Sequence, residues 1–389
     1  MKKPEIDTDY LTTTLRDLLS IASPSGYTDM VVHYVSEALE KMGLTVELTR
    51  RGAIRAIRPG EHRHEGARAI VSHVDTLGAQ VKSLKPNGRV ELVPIGHWSS
   101  RFAEGARASV FSEKGAYSGT ILPLKASGHT FNREIDSQPV TWQQVEMRID
   151  ALSRNIDELH ALGIEIGDIV AIDPQPEILD NGYIVSRHLD DKAGVAAMMA
   201  ALKAMQENRI YTPVDTHWLF TIAEEIGVGA STVVTSEIAS MLAIDNGTTA
   251  QGQNSSEFGV TIAMADQQGP FDYHLTKKLV DLCRNNDIQY QKDVFRFYRS
   301  DAASALEAGH DVRTALATFG IDASHGYERI HLHALRSVAE LIAVYANSPV
   351  NIQRDFRETA DPTGFTEQPV DEAEDQVLKP DLEQVEEIT

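Results

Sequence analysis

The chain has 389 residues, enough for two domains and a large core, and its 42% hydrophobic and 24% charged residues are ordinary for a globular protein. A net charge of −21 argues against nucleic acid as a main partner, because phosphate binding needs basic patches. Cys283 is the only cysteine, which excludes an intrachain disulfide and any thiolate-rich zinc or iron–sulfur site, so a metal would have to be held by His, Asp and Glu.

The N-terminal "MKKPEIDTDYLTTTL" lacks the apolar core of a signal peptide, and no run approaches 18 apolar residues. A cytoplasmic protein with no membrane span is therefore expected. Residues 8–42 read as two helices around the turn "PSGY", the second stopped by Gly43. "LTVELTRRGAIRAIRP" reads as a hairpin and "ARAIVSHVD" as a buried strand. From 76 to 175 the segments shorten and become β-like, with frequent Gly and Pro, which predicts a small β-rich insert. Beyond 176, strands and helices alternate: "GYIVSRH", a helix from Asp190, "THWLFTIAEE", "MLAIDNG", "GVTIAMADQ", a helix over 271–287, "DIQYQKDVF", "VRTALATFG" and a last helix over 327–346. This alternation predicts an α/β domain, 1–75 plus 176–352, with a mixed, largely parallel sheet flanked by helices. The stretch 353–389 carries 12 acidic and 2 basic residues between Asp355 and Thr389 and reads as a disordered acidic tail.

Polar clusters follow apolar strands at "SHVDT" (His73, Asp75), "SRHLDD" (His188, Asp190, Asp191), "TIAEEIG" (Glu224, Glu225), "AIDNG" (Asp245) and "ASHGYE" (His325, Glu328). Taken singly they are bland: a surface pair, a helix cap, a solvated face. Together they lie beyond the carboxyl ends of strands, where open α/β sheets bind ligands. Carboxylates and imidazoles without Lys or Arg to balance them call for a cation, and oxygen and nitrogen donors suit zinc, cobalt or manganese. His73, Asp190, Glu225, Asp245 and His325 are five candidate ligands, enough for two divalent ions if one carboxylate bridges. Glu224 is then free to act as general base, and Asp75 to hold the outer nitrogen of His73.

The order His-x-Asp, Asp-Asp-Lys-x-Gly, Glu-Glu, Asp, His resembles the cocatalytic di-zinc exopeptidases, with their phosphorylase/hydrolase-like domain. The β-rich insert between the first two clusters makes the chain similar to the glutamyl and deblocking aminopeptidases, whose members build hollow tetrahedral dodecamers (TET particles). The resemblance runs to about residue 350. It implies that His73 and Asp245 ligate one metal, that Glu225 and His325 ligate the other, and that Asp190 bridges them. It also implies a cis Asp190–Asp191 bond, a supporting or substrate-side role for Asp301 in "FYRSDAAS", and an insert that mediates dimerisation and limits access. Two departures stand out: Lys192 where the family more often has Arg, and "FGIDASHG" in place of an Arg-Tyr approach to the last histidine. The chain further resembles a bacterial branch linked with synthesis of the osmoprotectant N-acetylglutaminylglutamine amide.

The expected activity is a metallo-aminopeptidase acting on short peptides. An acylase or deacetylase of N-acylated amino acids or dipeptides is the alternative, and a non-catalytic scaffold is the third reading. The expected partners are a peptide or small amide and further copies of the chain, from dimer to dodecamer.

Overall fold

The computed structural model describes residues 3–62 and 66–350, with positions 352, 355, 362, 365 and 366; the rest of the acidic tail lies outside the described residues. Helices α1 (Thr8–Ser20) and α2 (Asp29–Lys41) open the chain. Asp7 caps α1 by accepting from the Tyr10 amide, and Leu11, Leu15 and Leu18, spaced by four and three, form its buried stripe. Gly43, at φ +78°, ends α2 as its position predicts. Strands β1 (Thr45–Leu48) and β2 (Ile54–Arg58) form the hairpin, and every residue of β3 (Ala67–His73) is buried.

The chain then leaves for the insert. Its elements are β4 (Gly78–Leu84), β5 (Val90–Ile95), β6 (Arg107–Ser112), β7 (Gly115–Pro123), α3 (Gly128–Phe131), β8 (Val145–Ile149), α4 (Ile156–Ala161) and β9 (Ile169–Ile172). The six strands close into a barrel in the order β4-β5-β8-β7-β6-β9, around a core that includes Val81, Leu92, Val110, Ile121 and Met147. Closure removes the free edges that a small sheet would expose. On β8, between the core residues Val145 and Met147, Glu146 is buried and held by Lys85, at 2.7 Å, and by Arg89. Burial alone would raise its pKa, but the two cations hold it below the ordinary carboxylate value. The stability it contributes is therefore present at neutral pH and is lost as pH falls through that lowered pKa. Glu146→Gln is expected to cost about 1.5–3 kcal/mol at pH 7, and the cost should vanish at strongly acidic pH; urea titrations at both pH values check this.

The return segment supplies β10 (Glu177–Ile178), β11 (Tyr183–Ser186), α5 (Leu189–Glu207), β12 (Thr216–Thr221), β13 (Ile238–Thr248), β14 (Val260–Asp266), β15 (Gly269–Pro270), α6 (Tyr273–Asn285), β16 (Tyr290–Val294), α7 (Asp301–Glu307), β17 (Arg313–Ile321), β18 (Glu328–His331) and α8 (Leu332–Asn347). The main sheet has nine strands in the order β1-β2-β12-β3-β13-β17-β14-β15, with β16 beside β14. Its centre, β12-β3-β13-β17, is parallel, and β2, β14 and β15 join antiparallel, so the sheet is mixed. β3 and β12 are buried along their whole length, as strands covered on both faces must be. Helix α5 is apolar nearly all round because it packs between α1, α8 and the sheet.

One expectation changes. The last helix starts at Leu332, not 327: Glu328–His331 form a strand paired with β11. Lys192 is fully buried, and its ammonium donates to the carbonyls of Leu18 and Ile21 at the C-terminal end of α1. A cation at a helix C-terminus meets both the unpaired carbonyls and the negative end of the dipole. Among the described residues no helix is long and apolar enough to cross a membrane.

Candidate active site

Because the central strands run parallel, their carboxyl ends open on one edge of the sheet. His73 is the last residue of β3, and in register it stands beside Thr221, the last of β12. Glu224 and Glu225 follow β12 directly, and Asp245 lies in β13, next to Thr318 of β17. Asp190 is at the start of α5, and His325 lies in the loop between β17 and β18. The Asp190–Asp191 peptide bond is cis.

These residues meet in two groups of three. Ligand-capable atoms of His73, Asp190 and Asp245 lie within 4.8 Å of one another, and so do those of Asp190, Glu225 and His325. Asp190 belongs to both: its Oδ1 is 3.2 Å from His73 Nε2 and its Oδ2 is 3.3 Å from His325 Nε2. Glu225 Oε2 is 3.6 Å from the same His325 nitrogen. Glu224 stays outside both groups, with its Oε2 3.8 Å from His73 Nε2.

Each imidazole is oriented from behind. His73 Nδ1 donates to the Asp75 carbonyl at 2.9 Å, and His325 Nδ1 donates to the His97 carbonyl at 2.8 Å. Since a carbonyl can only accept, the proton sits on Nδ1 and leaves Nε2 with a lone pair facing the carboxylates when the ring is neutral. The sequence reading gave Asp75's carboxylate the outer nitrogen of His73. It is 3.5 Å away, and it accepts instead from the Ser25 hydroxyl and from the amides of Glu224 and Glu225. Asp75 therefore fixes the Glu-Glu turn as well as the histidine.

Asn246 escaped the sequence reading, and Glu328 and Asp191, though named among the clusters, have roles that it did not assign. Asn246 donates to Asp190 Oδ2 at 2.7 Å and to Asp245 Oδ1 at 3.2 Å, tying two carboxylates together. Glu328 accepts from the amides of Leu189, Asp190 and His325, which links the start of α5 to the last histidine. Asp191 is not a helix cap: its carboxylate is buried behind β3, where it accepts from the Ser72 hydroxyl and the His73 amide. Gly194 makes room for it, since a Cβ there would lie 2.3 Å from Asp191 Oδ1. A signal existed for Asn246 and Asp191, each adjacent to a candidate ligand. Asp301, expected in a supporting or substrate-side role, is not among the residues lining the cavity; it is buried at the start of α7 and accepts from the Thr221 hydroxyl at 2.9 Å. His188 turns away, with its Nε2 on the Ile172 carbonyl.

The charges are strained by this crowding. Burial, and then the charge of Asp190, push Asp245 up to about 8 and hold Glu225 well above its ordinary value. Burial chiefly raises Glu224 as well. For His325, burial favours the neutral ring, but hydrogen bonding to Asp190 and the charge of Glu225 overcome it and raise the pKa to about 11. Glu225 Oε1 is buried with no hydrogen-bond partner among the described residues. Five nitrogen and oxygen donors, an orphaned carboxylate oxygen and mutual repulsion between carboxylates fit divalent cations without further rearrangement of ligand type. The site opens into a cavity of about 590 Å³, also lined by Gly229, Thr248, Gln267, Phe297, Tyr298 and Arg299.

A mixed α/β sheet with histidines and carboxylates converging at its carboxyl edge, and a barrel inserted after the first histidine strand, defines a metallopeptidase. The M42 glutamyl aminopeptidase family matches residues 52–341, and the chain belongs to it. It is a metal-dependent aminopeptidase, a hydrolase of peptide bonds. "Putative aminopeptidase YhfE" of Bacillus subtilis (strain 168) is 37% identical over 339 residues, covering 86% of this chain and 97% of that protein. The fold is shared with aminopeptidase APDkam598 from the archaeon Desulfurococcus kamchatkensis, at TM-score 0.77 and 22% identity over 87% of this chain and 94% of that one. It is shared equally with the Pyrococcus horikoshii TET1 peptidase, which can assemble into a tetrahedron or a large octahedral shell, at TM-score 0.76 and 21% identity over 86% and 99% of the two chains. These relatives favour neither the acylase alternative nor the scaffold.

Proposed function

We propose that His73, Asp190 and Asp245 hold one divalent ion and that Asp190, Glu225 and His325 hold a second, with zinc the native metal and cobalt or manganese able to replace it. The observation that carries this reading is the pair of three-residue groups meeting at Asp190. When bound, such ions polarise a peptide carbonyl and acidify a water. Glu224 is the general base: its carboxylate takes the proton of the attacking water and returns it to the departing amine. Asp75 positions Glu224 through the Glu224 amide, and Asn246 keeps the Asp190 and Asp245 carboxylates in a fixed mutual orientation.

The substrate is a short peptide with a free amino end, admitted through the cavity that Phe297 and Arg299 border. The catalytic unit is 1–75 plus 176–352, and 76–175 is an inserted unit for dimerisation and access. The protein self-associates, a reading supported by the assemblies named for its structural relatives, and it works in the cytoplasm.

Metal analysis combined with a substrate panel tests the proposal. Two ions per chain are expected after reconstitution, with hydrolysis of free-amine peptides, loss on chelation and recovery on adding zinc. Preference for N-acetylated peptides, or one ion or none per chain, would overturn it. Chelation is also expected to lower the melting temperature, because ions that bind only the folded state stabilise it by about 2.7 kcal/mol at a free concentration 100 times Kd; differential scanning calorimetry with and without chelator reads this.

A further inference from the structure

The two groups of candidate ligands differ in what stands behind them. Around His73, Asp190 and Asp245, the supporting contacts come from the α/β domain itself: the Asp75 carbonyl, the Asn246 amide and, through Asp191, Ser72. Around Glu225 and His325 the α/β domain holds the two backbone amides, through Asp75 and Glu328, and the inserted barrel adds contacts of its own. The loop that leaves β5 presents the His97 carbonyl to His325 Nδ1 at 2.8 Å. One residue earlier, Gly96 lies against Glu225: a Cβ built on it would stand 3.3 Å from the Glu225 carbonyl oxygen and 3.5 Å from Glu225 Cβ, and 2.4 Å from a Leu77 methyl. Gly96 also holds φ +85°, a conformation that favours glycine. Further along the same loop, Phe102 packs on Gly326, next to His325, where an added Cβ would meet its ring at 2.9 Å.

Besides these contacts with the site, the loop is fastened to the barrel. Trp98 Nε1 donates to the Gly78 carbonyl at 3.0 Å, and Trp142 Nε1 donates to the Trp98 carbonyl at 3.3 Å. The two indole rings meet edge to face at 4.8 Å. The space left between Trp98, Phe102, Glu225 and His325 is about 10 Å³, roughly one water's worth.

We infer that residues 96–102 of the insert are positioning residues for one metal only, the ion held by Asp190, Glu225 and His325, so that this half of the site is assembled across two domains. The inference rests on the two-ion reading given above. It places no residue of the insert on the metal itself: the His97 carbonyl fixes the tautomer and ring plane of His325, and Gly96 lets the loop approach Glu225. The other ion is held by one domain and is independent of the loop.

The test counts ions instead of turnover. Full-length wild type, Gly96→Ala, Trp98→Phe and Trp98→Ala are loaded with zinc and dialysed against graded chelator, and metal per chain is measured. Gly96→Ala is expected to keep one ion at wild-type affinity and to bind the other about 10–100-fold more weakly, the range for loss of an outer-shell partner. Trp98→Phe, which keeps a ring, should fall between wild type and Trp98→Ala. Phe102→Ala, at a partly exposed position, repeats the measurement should Gly96→Ala fail to fold. Wild-type affinity for both ions in every variant, or parallel weakening of both, overturns the inference while leaving the two-ion reading intact. A wild-type protein that takes up fewer than two ions overturns both.

Discussion

Glu224→Gln is expected to lower kcat by about 10²–10⁴-fold, the usual worth of a positioned proton acceptor, while metal content stays at the wild-type level. The carboxamide keeps the size of the side chain and removes the basic oxygen. Glu224 also lies outside both three-residue groups, so its loss should not reach the ligands. Its backbone amide still reaches Asp75 Oδ1, and this holds the turn in place. Paired steady-state kinetics and metal analysis decide the matter. Wild-type kcat would remove Glu224 as the base, and loss of metal would make it a ligand.

Asp190→Ala should do something different in kind: it should strip both ions. Asp190 is the only residue common to the two groups, and its two oxygens face different histidines, at 3.2 and 3.3 Å. Each ion should bind more weakly by more than the 10–100-fold typical of an outer-shell partner, with turnover falling to background. His325→Ala, by contrast, should lose one ion and keep the other. If Asp190→Ala and His325→Ala give the same metal count, the shared role assigned to Asp190 is wrong.

The sheet domain was legible because its chemistry interrupts its hydrophobicity. "WLFTIAEE" runs from a fully buried strand straight into two glutamates, and "ARAIVSHVD" does the same with a histidine and an aspartate; only a site makes such endings tolerable. The barrel was legible as β-rich texture but not as a barrel, because its strand order, β4-β5-β8-β7-β6-β9, depends on pairings between segments far apart in sequence. The same limit hid Lys192: its acceptors are carbonyls of Leu18 and Ile21, about 170 residues away, and no local pattern announces a helix end waiting for a cation. Residues 328–331 look like the first turn of α8 because they continue its apolar spacing. They are a strand because Glu328 must face inward to receive three amides. Asp75 was named for the outer nitrogen of His73, and it meets that nitrogen more closely through its carbonyl, at 2.9 Å, than through its carboxylate, at 3.5 Å, a distinction only coordinates can make.

The separation of the ligands along the chain also governs when the site can come into being. His73 is made early, the whole barrel is synthesised after it, and His325 emerges only when most of the 389 residues are already in place. Contacts of such long range form late and depend on the rest of the fold. A segment that holds His73 but not His325 would therefore lack part of the proposed metal site, however well its own strands had paired.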